Sequence, residues 1–229
     1  MSSFRFKQFE VQNEKSALKV GTDAVLLGSA MTILPSDANM LDIGTGTGVI
    51  ALMAAQRTQT AHIEAIDIDA PSAEEAAFNF AASPWSSRIC ARHTSLSDYV
   101  PTHSFDLIFS NPPYYDASLK NPDAREAAAR HTDSLSYRDV FSFASAHSSR
   151  LSVILPSDND KMALRLAAGF GLYPFRLVYV RSTERKKFSR LIAEFSLVRG
   201  EVQREELTLM NNEGGRSEDY TRLTQEFYL

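Results

Sequence analysis

From residue 39 onward, short apolar runs of strand length alternate with longer segments whose apolar residues recur at helical spacing. The strand-like runs are Met40 to Ile43, Ile63 to Ile66, Ile89 to Arg92, Asp106 to Ser110 and Leu151 to Leu155. Such alternation predicts a parallel sheet with helices on both faces. Ser72 followed by Glu75, beside Pro71, predicts a capping-box start for a helix through Ala76 to Phe80, and a second helix is expected from Tyr137 to Ser148. Leu177 to Val180 and Leu191 to Val198 alternate on either side of a polar, basic connection, which predicts an antiparallel pair closing the sheet. At the other end, Phe4-Arg5-Phe6-Lys7 suits an edge strand or hairpin, and Thr22 or Asp23 would cap a helix reaching Leu34. The roughly twenty residues between Tyr114 and Leu135 carry no clear strand and are too long for an ordinary connection, so they read as a working loop with a helical turn around Ala124 to Ala129.

Composition narrows this picture without changing it. With 229 residues, 44% of them hydrophobic and 23% charged, the chain has enough apolar material for one core, and residues 1–229 are expected to form one domain. No basic stretch leads into an apolar signal region, and every long apolar stretch is interrupted, so a soluble, cytoplasmic protein is expected. The lone cysteine, Cys90, excludes an internal disulfide and a cysteine metal cluster, and no metal is expected. A net charge of -4 argues against a protein that coats nucleic acid through its overall charge. A local patch is a different matter: Arg181, Arg185, Lys186, Lys187 and Arg190 fall together with one acid, Glu184.

Chemistry enters at Met40-Leu41-Asp42-Ile43-Gly44-Thr45-Gly46-Thr47-Gly48-Val49-Ile50, an apolar strand running into a glycine-rich turn and a helix. Glycines let the backbone approach a ligand closely. A dinucleotide fingerprint would need its third glycine where Val49 stands, which weakens a nicotinamide cofactor. The Asp-x-Gly-x-Gly-x-Gly pattern instead resembles the signature of class I methyltransferases. That resemblance implies a Rossmann-like α/β fold, with a mostly parallel seven-stranded sheet, an antiparallel last strand and helices on both faces. It also implies a turn, Gly44, Gly46 and Gly48, passing under the amino-acid portion of S-adenosylmethionine, with Asp42 helping to hold it. About nineteen residues beyond Gly48 the second strand ends in Asp67-Ile68-Asp69, where a carboxylate can accept from both ribose hydroxyls. Asp67 is the choice over Asp69. Many relatives place a third acid after strand three to meet the adenine amine, yet Leu96 stands there, so backbone groups near Ser95 and Leu96 are expected to take that role.

Strand four, Phe105 to Ser110, delivers Asn111-Pro112-Pro113-Tyr114 at the carboxyl end of the sheet, where open α/β folds bind ligands. An aromatic exocyclic amine is a poor nucleophile because its lone pair is delocalised into the ring. Asn111 Oδ1 and the Pro112 carbonyl can accept its two N–H groups and favour pyramidalisation, while Tyr114 offers a ring for stacking. In isolation the tetrapeptide is only a rigid turn. About sixty residues after a glycine turn it resembles the arrangement in amino-methyltransferases, which act on adenine N6, cytosine N4, guanine N2 or glutamine amides.

Three further segments extend the resemblance over nearly the whole chain. They are Phe6 to Phe9 leading to Lys19-Val20-Gly21-Thr22-Asp23 and on to Gly28, then Arg125-Glu126 with Ala129-Arg130-His131-Thr132, and finally Ser217 to Thr221 with Phe227-Tyr228-Leu229. Together they resemble the bacterial tRNA1(Val) adenine-37 N6-methyltransferase family. In such proteins the segment before strand one, here 1–38, covers the donor site of the 39–229 core, which implies Lys19, Gly21 and Thr22 as further donor contacts. The expected partner is a tRNA anticodon loop, met by a monomer. Arg125, Arg130, His131, Arg185, Lys186 and Lys187 are candidate phosphate contacts, with Tyr115 or Phe188 for stacking. Left open are a protein glutamine N5-methyltransferase, a ribosomal-RNA guanine N2 enzyme, and an RNA-binding module that keeps the fold without the chemistry.

Overall fold

The computed structural model describes residues 3–16, 19–113 and 135–229. A two-stranded antiparallel hairpin, β1 (Ser3–Arg5) and β2 (Glu10–Gln12), precedes helix α1 (Thr22–Ala30). Strands β3 (Asn39–Ile43), β4 (His62–Asp67) and β5 (Ile89–His93) then alternate with α2 (Val49–Arg57) and α3 (Ala70–Ala81). Next come β6 (Leu107–Ser110), α4 (Tyr137–His147), β7 (Arg150–Pro156), α5 (Asp160–Gly169), β8 (Tyr173–Arg181), β9 (Arg190–Ser196), β10 (Gln203–Thr208) and α6 (Glu218–Thr224).

The main sheet runs β10-β8-β9-β7-β6-β3-β4-β5, and β9 alone is antiparallel to its neighbours. Alternation along each strand feeds two cores. Met40, Leu107, Phe109, Ile154 and Ile192 face α1, α2 and α3, whereas Leu41, Ile43, Ile108, Leu151, Val153 and Phe195 face α4 and α5. The sheet has eight strands where seven are expected, because β10 adds a parallel edge beyond the antiparallel pair. Its sequence, Gln-Arg-Glu-Glu-Leu-Thr, buries only Leu207 and carries no apolar alternation to announce it.

Two helix starts differ from expectation for identifiable reasons. Helix α1 begins after Gly21, whose extended backbone replaces a side-chain cap, because Asp23 turns instead to Arg190, at 2.9 and 3.0 Å from its Nε. It stops at Ala30, short of Leu34. Helix α3 is capped by Asp69, which accepts from the Ser72 amide at 3.0 Å. Ser72 therefore lies inside the helix, and Glu75 serves elsewhere. Helix α4 starts with a true capping box between Ser136 and Asp139. Among the described residues, no helix is long and apolar enough to cross a membrane.

Candidate active site

Strand β3 lies between β4 and β6, so the chain leaves it toward one side and returns on the other. Such a switch point opens a crevice at the carboxyl ends of the strands. The β3–α2 connection fills that position with Gly44, Gly46 and Gly48 at φ 73°, 57° and 82°, three left-handed residues within five. Non-glycine side chains crowd the following carbonyl there. Gly48 has a second constraint, since a Cβ at this position would stand 2.4 Å from Phe80 Cε1 on α3.

Above the turn lies a cleft of about 920 Å³, within the size range of small-molecule sites. Gly44, Gly46, Asp67, Ser95, Leu96, Asn111 and Pro113 all line it. The β4 carboxylate is held from two sides: Asp67 Oδ2 accepts from the Gly46 amide at 2.8 Å and Oδ1 from the Asp69 amide at 2.9 Å. Burial pushes this carboxyl above the usual range, opposed by those two N–H groups. Each oxygen keeps a lone pair for a ligand hydroxyl. Asp69 lines the same cleft but spends one oxygen on the Ser72 amide and hydroxyl.

Asp42 sits behind the turn, fully buried, with Oδ2 accepting from Thr45 Oγ1 at 2.7 Å. Its Oδ1 has no hydrogen-bond partner among the described residues. Burial, aided by the Asp67 charge and opposed by the Thr45 hydroxyl, pushes its carboxyl up to about 7. Gly48 caps the start of α2 and Asp42 lies behind the turn, and neither is among the residues that line the cleft.

Asn111 follows β6 directly. Ser110 Oγ donates to the Ile43 carbonyl at 2.7 Å, which ties the end of β6 to the end of β3 one residue before it. Pro112 is buried and Pro113 exposed toward the cleft. Tyr114, Tyr115, Arg125, Arg130 and His131 lie outside the described residues, as does the loop expected between 114 and 134.

The cleft is also lined by residues that the sequence does not mark, among them Ile68, Ser16, Ser72, Tyr99 and Phe143. Ile68 is 44% exposed and, with Leu96, gives the cleft an apolar patch suited to a planar base. Its signal was an apolar residue between two acids at a strand end. Ser16 and Ser72 line the same side of the cleft, their hydroxyls 3.2 Å apart. Lys19, Gly21 and Thr22, expected as cofactor contacts, are not among the residues that line this cleft. Lys19 Nζ donates to the Glu14 carbonyl at 2.7 Å, Gly21 precedes α1 and Thr22 is its first residue. Ser95 Oγ binds Asp98 Oδ2 at 2.7 Å, closing a tight turn that holds Leu96 at the cleft.

The basic connection between β8 and β9 exposes Arg185, Lys186 and Lys187. Because β8 runs in the same direction as β7 and β6, this connection emerges at the sheet edge that carries Asn111. Phe188 packs at 5.6 Å from the Tyr179 ring, with the Arg181 guanidinium 5.1 Å over its own. Arg190, at the end of this run, is engaged by Asp23.

The chain matches the family model "Methyltransferase small domain" over residues 15–133. It is 38% identical to the tRNA1(Val) (adenine(37)-N6)-methyltransferase of Flavobacterium johnsoniae, covering 99% of both chains. The enzyme of the same name from Bacteroides fragilis is 40% identical, with 99% of this chain and 97% of that one covered. That from Pseudoalteromonas translucida is 39% identical over 100% and 99%. Among solved structures, a predicted O-methyltransferase of Agrobacterium tumefaciens shares the fold at a TM-score of 0.70, with 17% identity over 90% of this chain and 96% of that one. Geranyl diphosphate C-methyltransferase of Streptomyces coelicolor does so at 0.56, with 15% identity over 76% of each. A methyltransferase sheet order, a glycine turn facing a strand-end carboxylate and full-length relatives at up to 40% identity lead to one assignment: the chain belongs to the tRNA1(Val) (adenine(37)-N6)-methyltransferase family.

Proposed function

We propose that this protein binds S-adenosylmethionine in the cleft above the glycine turn and methylates N6 of adenine 37 in the anticodon loop of tRNA1(Val). The observation that carries the reading is that Asn111 opens onto the same cleft as Asp67 and the glycine turn. The residues present fit such a donor. Gly44 and Gly46 leave the backbone open to close approach, Asp67 keeps acceptor capacity for a ribose, and Ile68 with Leu96 offers apolar faces to an adenine. When bound, the donor supplies an electrophilic methyl group.

The protein's part is to hold and orient an amine. Asn111 Oδ1 and the Pro112 carbonyl accept the two N–H groups of the base, which returns electron density to the nitrogen and aims its lone pair. Pro112 and Pro113 contribute no N–H that could compete for that lone pair, and they fix the main chain. Tyr114 supplies a stacking surface for the base. An anticodon loop already exposes its bases, so little unstacking energy is needed. Arg185, Lys186 and Lys187 meet the phosphates of the stem, with Arg125, Arg130, His131 and Tyr115 acting on the loop side. One unit spanning 1–229 suffices, acting as a monomer in the cytoplasm with the N-terminal 38 residues forming the donor-side wall.

The names of the full-length relatives favour this substrate over a protein glutamine or a ribosomal guanine. Incubating the purified protein with labelled donor and undermodified tRNA tests it. Nucleoside analysis is expected to find N6-methyladenosine at position 37, and label confined to protein or to guanosine would sink the reading.

A further inference from the structure

Glu75 is buried at 4% exposure on α3; among the described residues the other buried carboxylates, Asp37, Glu194 and Asp42, each answer to an arginine or a hydroxyl. Its partners are three successive backbone amides. Oε1 accepts from Glu14 at 2.7 Å and Lys15 at 2.8 Å, and Oε2 accepts from Ser16 at 2.8 Å. Three N–H groups converging on one carboxylate form an anion nest, here filled from within the chain. One turn along the same helix face, Asn79 accepts from the Gln12 amide at 2.8 Å and donates to the Gln12 carbonyl and to the Thr47 carbonyl of the glycine turn. One turn in the other direction, the Ser72 hydroxyl meets Ser16 Oγ at 3.2 Å and Asp69 Oδ2 at 2.6 Å. These contacts align residues 12–16 along α3 and end at the cleft, where Ser16, Ser72 and Asp69 stand beside Asp67.

We propose that Glu75 is a positioning residue of the donor site: by gathering the amides of residues 14–16 it sets the Ser16 hydroxyl on the cleft wall next to Ser72, on the side of Asp67 and Asp69. This inference rests on the cleft being the donor site. The segment forms no helix or strand beyond Gln12, so its course is set by these contacts with α3, and Ser16 is its sole cleft residue among those described. Between Asn79 and Ser72, the Glu75 carboxylate holds three of the segment's amides at once and so contributes most to making this stretch of chain a wall. Glu75→Gln keeps the volume but replaces one acceptor oxygen with an N–H₂ group that faces an amide donor, so the segment is released while α3 is kept.

Calorimetry with S-adenosylhomocysteine separates the possibilities. Wild-type protein that fails to bind it overturns the donor-site reading itself. If wild type binds, Glu75→Gln is expected to weaken binding about tenfold and to raise the donor KM to match. Turnover at saturating donor should stay within about twofold, and the tRNA KM should be unchanged. Unaltered donor affinity, or a fall in turnover without one, overturns the proposal. Amide hydrogen exchange at residues 14–16 is expected to accelerate selectively in the same variant. Should Glu75→Gln not fold, Ser16→Ala leaves all three amides in place: a several-fold loss of donor affinity is expected, and unchanged affinity overturns the proposal.

Discussion

Replacing Gly48 with alanine tests how tightly the glycine turn is locked to the helix behind it. Two costs add. The φ of 82° places a non-glycine residue in the left-handed region, at about 1–2 kcal/mol. The new Cβ would also stand 2.4 Å from Phe80 Cε1, 2.9 Å from Cζ and 3.3 Å from the Ala76 Cβ. Phe80 is 2% exposed and has no open side to move toward, so relief requires shifting α3, an overpacking cost of about 1–3 kcal/mol. The expected destabilisation is about 2–5 kcal/mol, a large share of a typical folding free energy. For a chain of this size it corresponds to a fall in Tm of roughly 4–20 °C. Urea and thermal unfolding of Gly48→Ala measure the total, and Phe80→Leu combined with it isolates the packing part. The double variant should recover about 1–3 kcal/mol relative to the sum of the singles. A Gly48→Ala protein within about 0.5 kcal/mol of wild type would refute both the strain and the clash.

Other expected outcomes concern the chemistry and the partner. Asn111→Ala should lower turnover by roughly a hundredfold or more while leaving donor affinity nearly unchanged, as read by single-turnover kinetics beside calorimetry. Asp42 has a folded carboxyl pushed up to about 7 from an ordinary 3.8, so the native state binds more protons than the unfolded chain between those values. The donor-free protein is then expected to lose stability as pH rises from about 4 to 7, by a few kcal/mol at most. Asp42→Asn should flatten that slope in unfolding curves across the range, and an equal slope in the variant would assign it to other groups. Replacing Arg185, Lys186 and Lys187 by alanine should weaken tRNA binding and reduce its salt dependence by up to about two in the log–log slope. Donor affinity should not move, and an unchanged slope would remove the connection from the RNA interface.

The alternating sheet and its turn are plain in the sequence because each buried parallel strand needs a continuous apolar run, and a turn with three left-handed residues needs glycines. Helix α4 is nearly complete in the sequence because Ser136 and Asp139 form its own cap. What escapes depends on side chains choosing between local and distant partners. Asp23 has the right position to cap α1 but goes to Arg190, 167 residues away. Glu75 has the spacing of a capping box but captures amides about 60 residues earlier. Strand β10 is invisible because its pairing with β8 is made by the main chain while its first four side chains face water and only Leu207 is buried. In the candidate site, Asp67, Asn111 and the glycines follow from strand-end geometry. Ser16 and Ser72 do not, since nothing in their neighbourhood marks two serines 56 residues apart as neighbours.

The hairpin that leads into residues 12–16 is itself fastened by the far end of the chain. The Lys7 amide donates to the Phe227 carbonyl at 2.8 Å, Phe227 is 2% exposed, and the Tyr228 ring stacks on Phe6 at 6.1 Å. On the ribosome, β1 and β2 emerge early yet must wait for residues 220–228 before their aromatic face is covered. The sheet around the glycine turn can assemble before then, whereas the hairpin is fastened by contacts as distant as Lys7 with the Gln225 carbonyl, 218 residues apart. Removing residues 220–228 is therefore expected to loosen the hairpin before it loosens the sheet.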